Sequence, residues 1–186
     1  EQTFDALRVV NSSVDGLSLG YTYLNRVNRV FGEDSPVGRF RGDTHLVNAD
    51  YTGFGGVTLG AYAYLLDLNE APALSTETYG ARLSLPLELA ERTKLALTGE
   101  YANQTDYEGN PASVDLDYML AEAAFSHAAF GFTAGYEVLE GDGAVGFSTP
   151  LATLHAFNGW ADVFLTTPAA GLEDFYLGST YALNNI

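Results

Sequence analysis

The chain is 186 residues long, with 24 acidic and 8 basic residues, a formal net charge of −16, 47% hydrophobic residues and no cysteine. Such a charge excludes non-specific nucleic-acid binding, which needs a basic surface, and the hydrophobic content excludes a disordered chain. The missing cysteines remove disulfides, thiol catalysis and zinc–thiolate chemistry, and no apolar run is long enough for a transmembrane helix.

Twenty glycines, twelve tyrosines and eleven phenylalanines suit strands and tight turns. Period-two alternation predicts strands at 3–11, 17–26, 44–52, 57–67, 77–85, 94–102, 114–126, 130–139 and 172–182. Each is long for a soluble sandwich and matches a tilted crossing of a bilayer. One face of each strand is apolar. Leu17, Leu19, Tyr21 and Tyr23 alternate with Ser18, Gly20, Thr22 and Arg26, and Leu95, Leu97 and Tyr101 with Lys94, Thr98 and Glu100. Strand seven is ambiguous, because Leu116, Tyr118 and Leu120 compete with Met119, Ala121, Ala123 and Phe125 for the apolar face.

Connections alternate in length. The short ones are 12–16, 53–56 and 127–129, with 86–93 an exception. The long ones include 27–43, 103–113 and 140–171. Short turns on one side and long loops on the other mark an up-and-down outer-membrane barrel, with the long loops outside. Aromatics on the apolar faces sort into two rims around an aliphatic band, as two lipid–water interfaces require. A soluble aromatic-rich β-sandwich is the competing reading.

Within 140–171, Leu151, Leu154, Phe157, Trp160, Ala161 and Phe164 recur at helical spacing. They predict a short helix over 150–165 capped by Thr149, with Pro150 in its first turn. Folded into the barrel mouth, Phe157 and Trp160 would narrow or plug the passage. Folded outward, the helix would cover the rim.

Several stretches carry a family likeness. They are 1–11 (EQTFDALRVVN), 29–38 (RVFGEDSPVG), 135–143 (GYEVLEGDG) and 147–162 (FSTPLATLHAFNGWAD). The chain resembles the alginate-export family of proteobacterial outer-membrane proteins. The resemblance implies a larger single-chain, porin-like β-barrel channel in a Gram-negative outer membrane, in contact with lipid and lipopolysaccharide. It departs from that family in lacking the basic lumen that passes a polyanion. An odd count of nine strands, a first strand starting on the long-loop side and an ending at Asn184-Asn185-Ile186 predict a single barrel domain over 1–186 that is incomplete at both ends.

Charges facing lipid at mid-membrane are costly, so alternation turns them inward. The expected pore-lining residues are Arg8, Arg26, Asp50, Tyr62, Tyr64, Arg82, Lys94, Glu100, Glu122 and Glu137. Positive charges on strands one, two, five and six would face negative ones on strands six to eight across an aqueous pore. Salt bridges that fill the lumen are the other reading of the same residues. Tyr62 and Tyr64 offer faces on which sugar rings stack, or pack against an inserted loop.

The acidic loop pairs Asp67 with Glu70, Asp106 with Glu108 and Glu140 with Asp142 do not match a calcium-loop spacing, so no metal site or cofactor is expected. His127 follows Ser126 in a short turn with no acidic neighbour in sequence, and neither His45 nor His155 completes a catalytic set. The function this predicts is a non-enzymatic channel for passive passage or export of small hydrophilic solutes or saccharides, with a plugged structural or surface-interaction barrel as the alternative. Oligomerisation is left open.

Overall fold

The computed structural model describes residues 2–32, 34–152, 158 and 163–183. Nine strands form one antiparallel sheet in strict chain order. They are β1 (Thr3–Val14), β2 (Leu17–Asn28), β3 (Arg39–Phe54), β4 (Val57–Leu66), β5 (Thr76–Ala90), β6 (Thr93–Asp106), β7 (Asp115–His127), β8 (Phe130–Leu139) and β9 (Leu172–Tyr181). A 3-10 turn, Pro72–Leu74, accompanies them. The up-and-down all-β fold expected from the alternation is the observed one. No second sheet covers this one among the described residues, so the sandwich reading fails.

All four connections at one end are two-residue turns: Asp15 and Gly16, Gly55 and Gly56, Glu91 and Arg92, Ala128 and Ala129. Tight hairpins of this kind use positive φ. Gly55 and Gly56 supply it at 58° and 91°, whereas Arg92 and Ala128 adopt it without being glycine, at 63° and 54°. At the other end the loops run over 29–38, 67–75, 107–114 and 140–171. The exception expected at 86–93 disappears, because β5 continues through Pro86. Proline removes a ladder donor and so suggested a strand end. Here β4 makes its last pair, Thr58 with Ser84, before Pro86 is reached, so at Pro86 strand β5 pairs only with β6, opposite Ala96. On the β4 side, therefore, the missing N–H leaves no ladder bond unmade.

Alternation gives the sheet two chemically distinct faces. The outer face carries Leu59, Leu83, Leu97, Phe132, Phe175 and Leu177, all exposed, with Leu177 at 75%. Its loop-side rim bears tyrosines whose hydroxyls donate to carboxylates just above them: Tyr23 to Asp43 at 2.5 Å, Tyr101 to Asp117 at 2.8 Å and Tyr136 to Glu173 at 3.1 Å. The ambiguity in β7 resolves without a bulge. Its register with β6 and β8 is continuous, Met119, Ala121, Ala123 and Phe125 face out, and Leu116, Tyr118 and Leu120 face in. Both faces read as apolar because loops cover the inner one near its loop end.

The buried core lies there, in two clusters where loops fold onto the inner face. Leu24, Val27, Phe40 and Leu68 form one, and Ala102, Val114, Leu116 and Phe147 the other. A β-bulge in β2, between Leu24 and Arg26, brings both Leu24 and Val27 to the inner side. The loops are held by their own acids. Glu70 accepts both the Arg41 backbone N–H, at 2.6 Å, and its Nε–H, at 2.5 Å. Asp106 accepts the Val114 N–H, and Asp142 those of Ala144 and Val145. Burial pushes the Glu70 carboxyl up, but the hydrogen bonds and positive charge of Arg41 outweigh this and hold it below the ordinary carboxylate range. Asp142 is likewise held low, by the Val145 and Ala144 amides.

Candidate functional site: the inner face and its covering loop

Register places inner-face residues in rows across the sheet. One row runs Asn48, Tyr62, Gly80, Ala102, Tyr118, Leu139. The next, nearer the short turns, runs Asp50, Gly60, Arg82, Glu100, Leu120, Glu137, Asp174. A third runs Ser84, Thr98, Glu122, Gly135, Tyr176.

Tyrosines and carboxylates pair along these rows. Tyr62 Oη donates to Glu100 at 2.8 Å, Tyr118 Oη to Glu137 at 2.8 Å and Tyr176 Oη to Glu122 at 2.6 Å. Two of these pairs share one device. Tyr62 on β4 reaches β6 across Gly80 of β5, and Tyr176 on β9 reaches β7 across Gly135 of β8. A Cβ at either glycine would run into the tyrosine ring, so the bare backbone is what lets the phenol lie flat across the intervening strand. Tyr64 Oη donates to Asn48 at 2.8 Å, and the Tyr62 and Tyr64 rings stack with centroids 4.8 Å apart.

The expected inward set is placed as follows. Arg8 and Asp50 lie on the inner face, Arg8 on edge strand β1 opposite Thr22 and Asp50 opposite Ser18 and Gly60. Tyr62, Tyr64, Arg82, Glu100, Glu122 and Glu137 are all inner-face residues and line one groove. Lys94 is also on the inner face, but at the short-turn end, where it pairs with Glu88 at 3.2 Å. Arg26 is a correction. The bulge beside it reverses the alternation and sends it to the outer rim, where it pairs with Asp5 at 3.4 Å and lies opposite Arg41. The opposed positive and negative walls do not form in this sheet. Arg82 is paired with Glu100 on the neighbouring strand, while Glu122, Glu137 and Asp174 have no cationic partner among the described residues.

The described parts of loop 140–171 fold inward. Phe147 is buried against Tyr118, their rings 5.7 Å apart. Gln104 clamps Ser148 from both sides, accepting its N–H at 2.7 Å and donating to its carbonyl at 3.0 Å, and also donates to Thr78. Asn158 donates to Glu137 at 3.0 Å. Of the helix expected over 150–165, Phe157 and Trp160 lie outside the described residues, and Thr149–Ala152 form a turn closed by the Ala152 N–H on the Thr149 carbonyl. Between loop and sheet remains a groove of about 1000 Å³.

Sequence reasoning missed Tyr118, Tyr176, Asp174, Gln104 and the two glycines. For Tyr176 the signal was present, since it alternates with Phe175 and Leu177 on the outer face. For Tyr118 the loop contact that makes its neighbours apolar hid it.

A continuous antiparallel up-and-down sheet with an apolar outer face, a polar inner face and a loop folded against it defines a porin-type barrel wall. Solved structures that share this fold are Pseudomonas aeruginosa outer-membrane porins. OpdL is 18% identical over 84% of this chain and 45% of its own, with a TM-score of 0.66. OpdQ is 19% identical over 85% and 46%, with a TM-score of 0.65. OpdK, in a structure with vanillate, is 16% identical over 76% and 38%, with a TM-score of 0.64. The chain thus spans less than half of each. No family model and no curated protein matches it, so the alginate-export likeness gains no support beyond the porin-like fold.

Proposed function

We propose that the chain is part of the wall of an outer-membrane channel through which small hydrophilic solutes pass passively, and that it has no enzymatic role. The observation that carries this reading is the groove left open between the inward-folded loop and a charged, tyrosine-lined inner face. Tyr62, Tyr64, Arg82, Glu100, Glu122 and Glu137 line that groove, and Arg8, Asp50 and Lys94, elsewhere on the same inner face, complete the proposed lining of the channel. The exposed apolar face would meet lipid, and its loop-side rim the lipopolysaccharide leaflet, because unsupported hydrocarbon of this extent is unstable in water. The vanillate found with OpdK supports a small-solute channel, and the alginate-export likeness adds saccharides to the solutes proposed.

One observation favours a plugged barrel: the loop's firm seating through Gln104 and Phe147. Planar-bilayer recording of the complete protein separates the two. The channel reading expects potassium chloride conductance that rises when 149–168 is deleted. Absence of conductance in both forms would favour the plugged barrel.

A further inference from the structure

The balance of charge in the groove is one-sided, and its carboxylates are hydrogen-bonded in an unusual way. Four of them, Glu100, Glu122, Glu137 and Asp174, line it against the single guanidinium of Arg82, which is already paired with Glu100. Glu122 and Glu137 instead accept hydrogen bonds from neutral donors, the Tyr176 and Tyr118 hydroxyls and the Asn158 amide. Neutral donors satisfy the oxygens without cancelling their charge, so the negative potential is left for a solute to meet.

The same wall presents phenol rings beside the carboxylates, including the stacked Tyr62 and Tyr64. Carboxylates next to aromatic faces recognise organic cations, which gain from charge pairing and from the ring quadrupole together. An anion entering here would meet three carboxylates without a counter-ion and find the one nearby guanidinium engaged.

We infer that this groove selects small organic cations, an ammonium or guanidinium group on a compact body, and disfavours carboxylate solutes. The inference rests on the channel reading and names its solute class.

The test uses the complete protein in planar bilayers. Potassium chloride conductance is measured first, then reversal potentials under gradients of agmatine chloride and of sodium vanillate. Agmatine is expected to be more permeant than chloride, and vanillate less permeant than sodium. Micromolar-to-millimolar agmatine is also expected to interrupt the potassium current of the unaltered protein reversibly, a readout that needs no variant. Glu122→Gln and Glu137→Gln, checked for folding by heat-modifiable migration, should each lower the agmatine-to-chloride ratio about fivefold, the factor for about 1 kcal/mol between unit charges in water. Preferential vanillate passage, or an agmatine ratio unmoved by both variants, overturns the cation assignment while leaving the channel reading standing. Absence of any potassium chloride conductance overturns the channel reading and the assignment with it.

Discussion

At the scale of single residues, two positions show how local chemistry sets the frame. Ala128 turns the hairpin between β7 and β8 at a φ of 54°. That left-handed conformation costs a non-glycine residue about 1–2 kcal/mol, part of which a glycine loses again through its larger unfolded-state entropy. Ala128→Gly is therefore expected to stabilise the folded protein by up to about 1 kcal/mol in urea unfolding; a loss of stability would contradict the turn geometry. Glu70 tethers loop 67–75 to Arg41. Its folded carboxyl lies below the ordinary value of 4.5, so the tether contributes fully above that pH and is lost as pH falls through the lower folded value. Hydrogen exchange at the Arg41 amide should hold steady from neutral to mildly acidic conditions and accelerate below that range beyond its intrinsic pH dependence, whereas Glu70→Gln should remove the extra acid step. The residue scale was also where sequence reading erred. Arg26 fits the alternation of β2 by position, and only the bulge beside it, set by cross-strand pairing with β3, turns it outward.

At the scale of elements, most of the architecture was legible because strand periodicity and turn chemistry are local. Leu95, Leu97 and Tyr101 alternate with Lys94, Thr98 and Glu100 as read, and two of the four short turns, at Asp15-Gly16 and Gly55-Gly56, sit where glycines mark them. What was not legible depends on neighbours distant in sequence. Pro86 looks like a strand breaker until β4 is seen to stop short of it. Tyr118 looks like a lipid-facing residue until Phe147 packs on it. The tyrosine–glycine–carboxylate device spans three strands, so no single strand reveals it. The two faces of β6 should respond differently to the same charge. Leu97→Arg is expected to cost roughly 2–4 kcal/mol in folding into bilayers, the range for a lipid-facing arginine at the midplane. Thr98→Arg, on the inner face, should cost far less and change ion selectivity instead. Equal losses would refute the assignment of faces.

At the scale of the whole molecule, the sheet ends in two edges, β1 and β9. Backbone groups cannot remain unpaired in hydrocarbon, so in a bilayer both edges require further strands, from the rest of a longer polypeptide or from another chain. This agrees with the chain's covering less than half of OpdL, OpdQ and OpdK. The central claim is that one face of this sheet meets lipid and the other meets water. Because the sequence contains no cysteine, single cysteines report on it without background. The most direct measurement is labelling of cysteines placed one at a time at positions 95 to 100 of β6, in the complete protein in intact cells, with a membrane-impermeant thiol reagent small enough to enter the channel. The account predicts strict alternation, with Ala96→Cys, Thr98→Cys and Glu100→Cys labelled and Leu95→Cys, Leu97→Cys and Gly99→Cys protected. Uniform labelling, uniform protection or the opposite phase would contradict it.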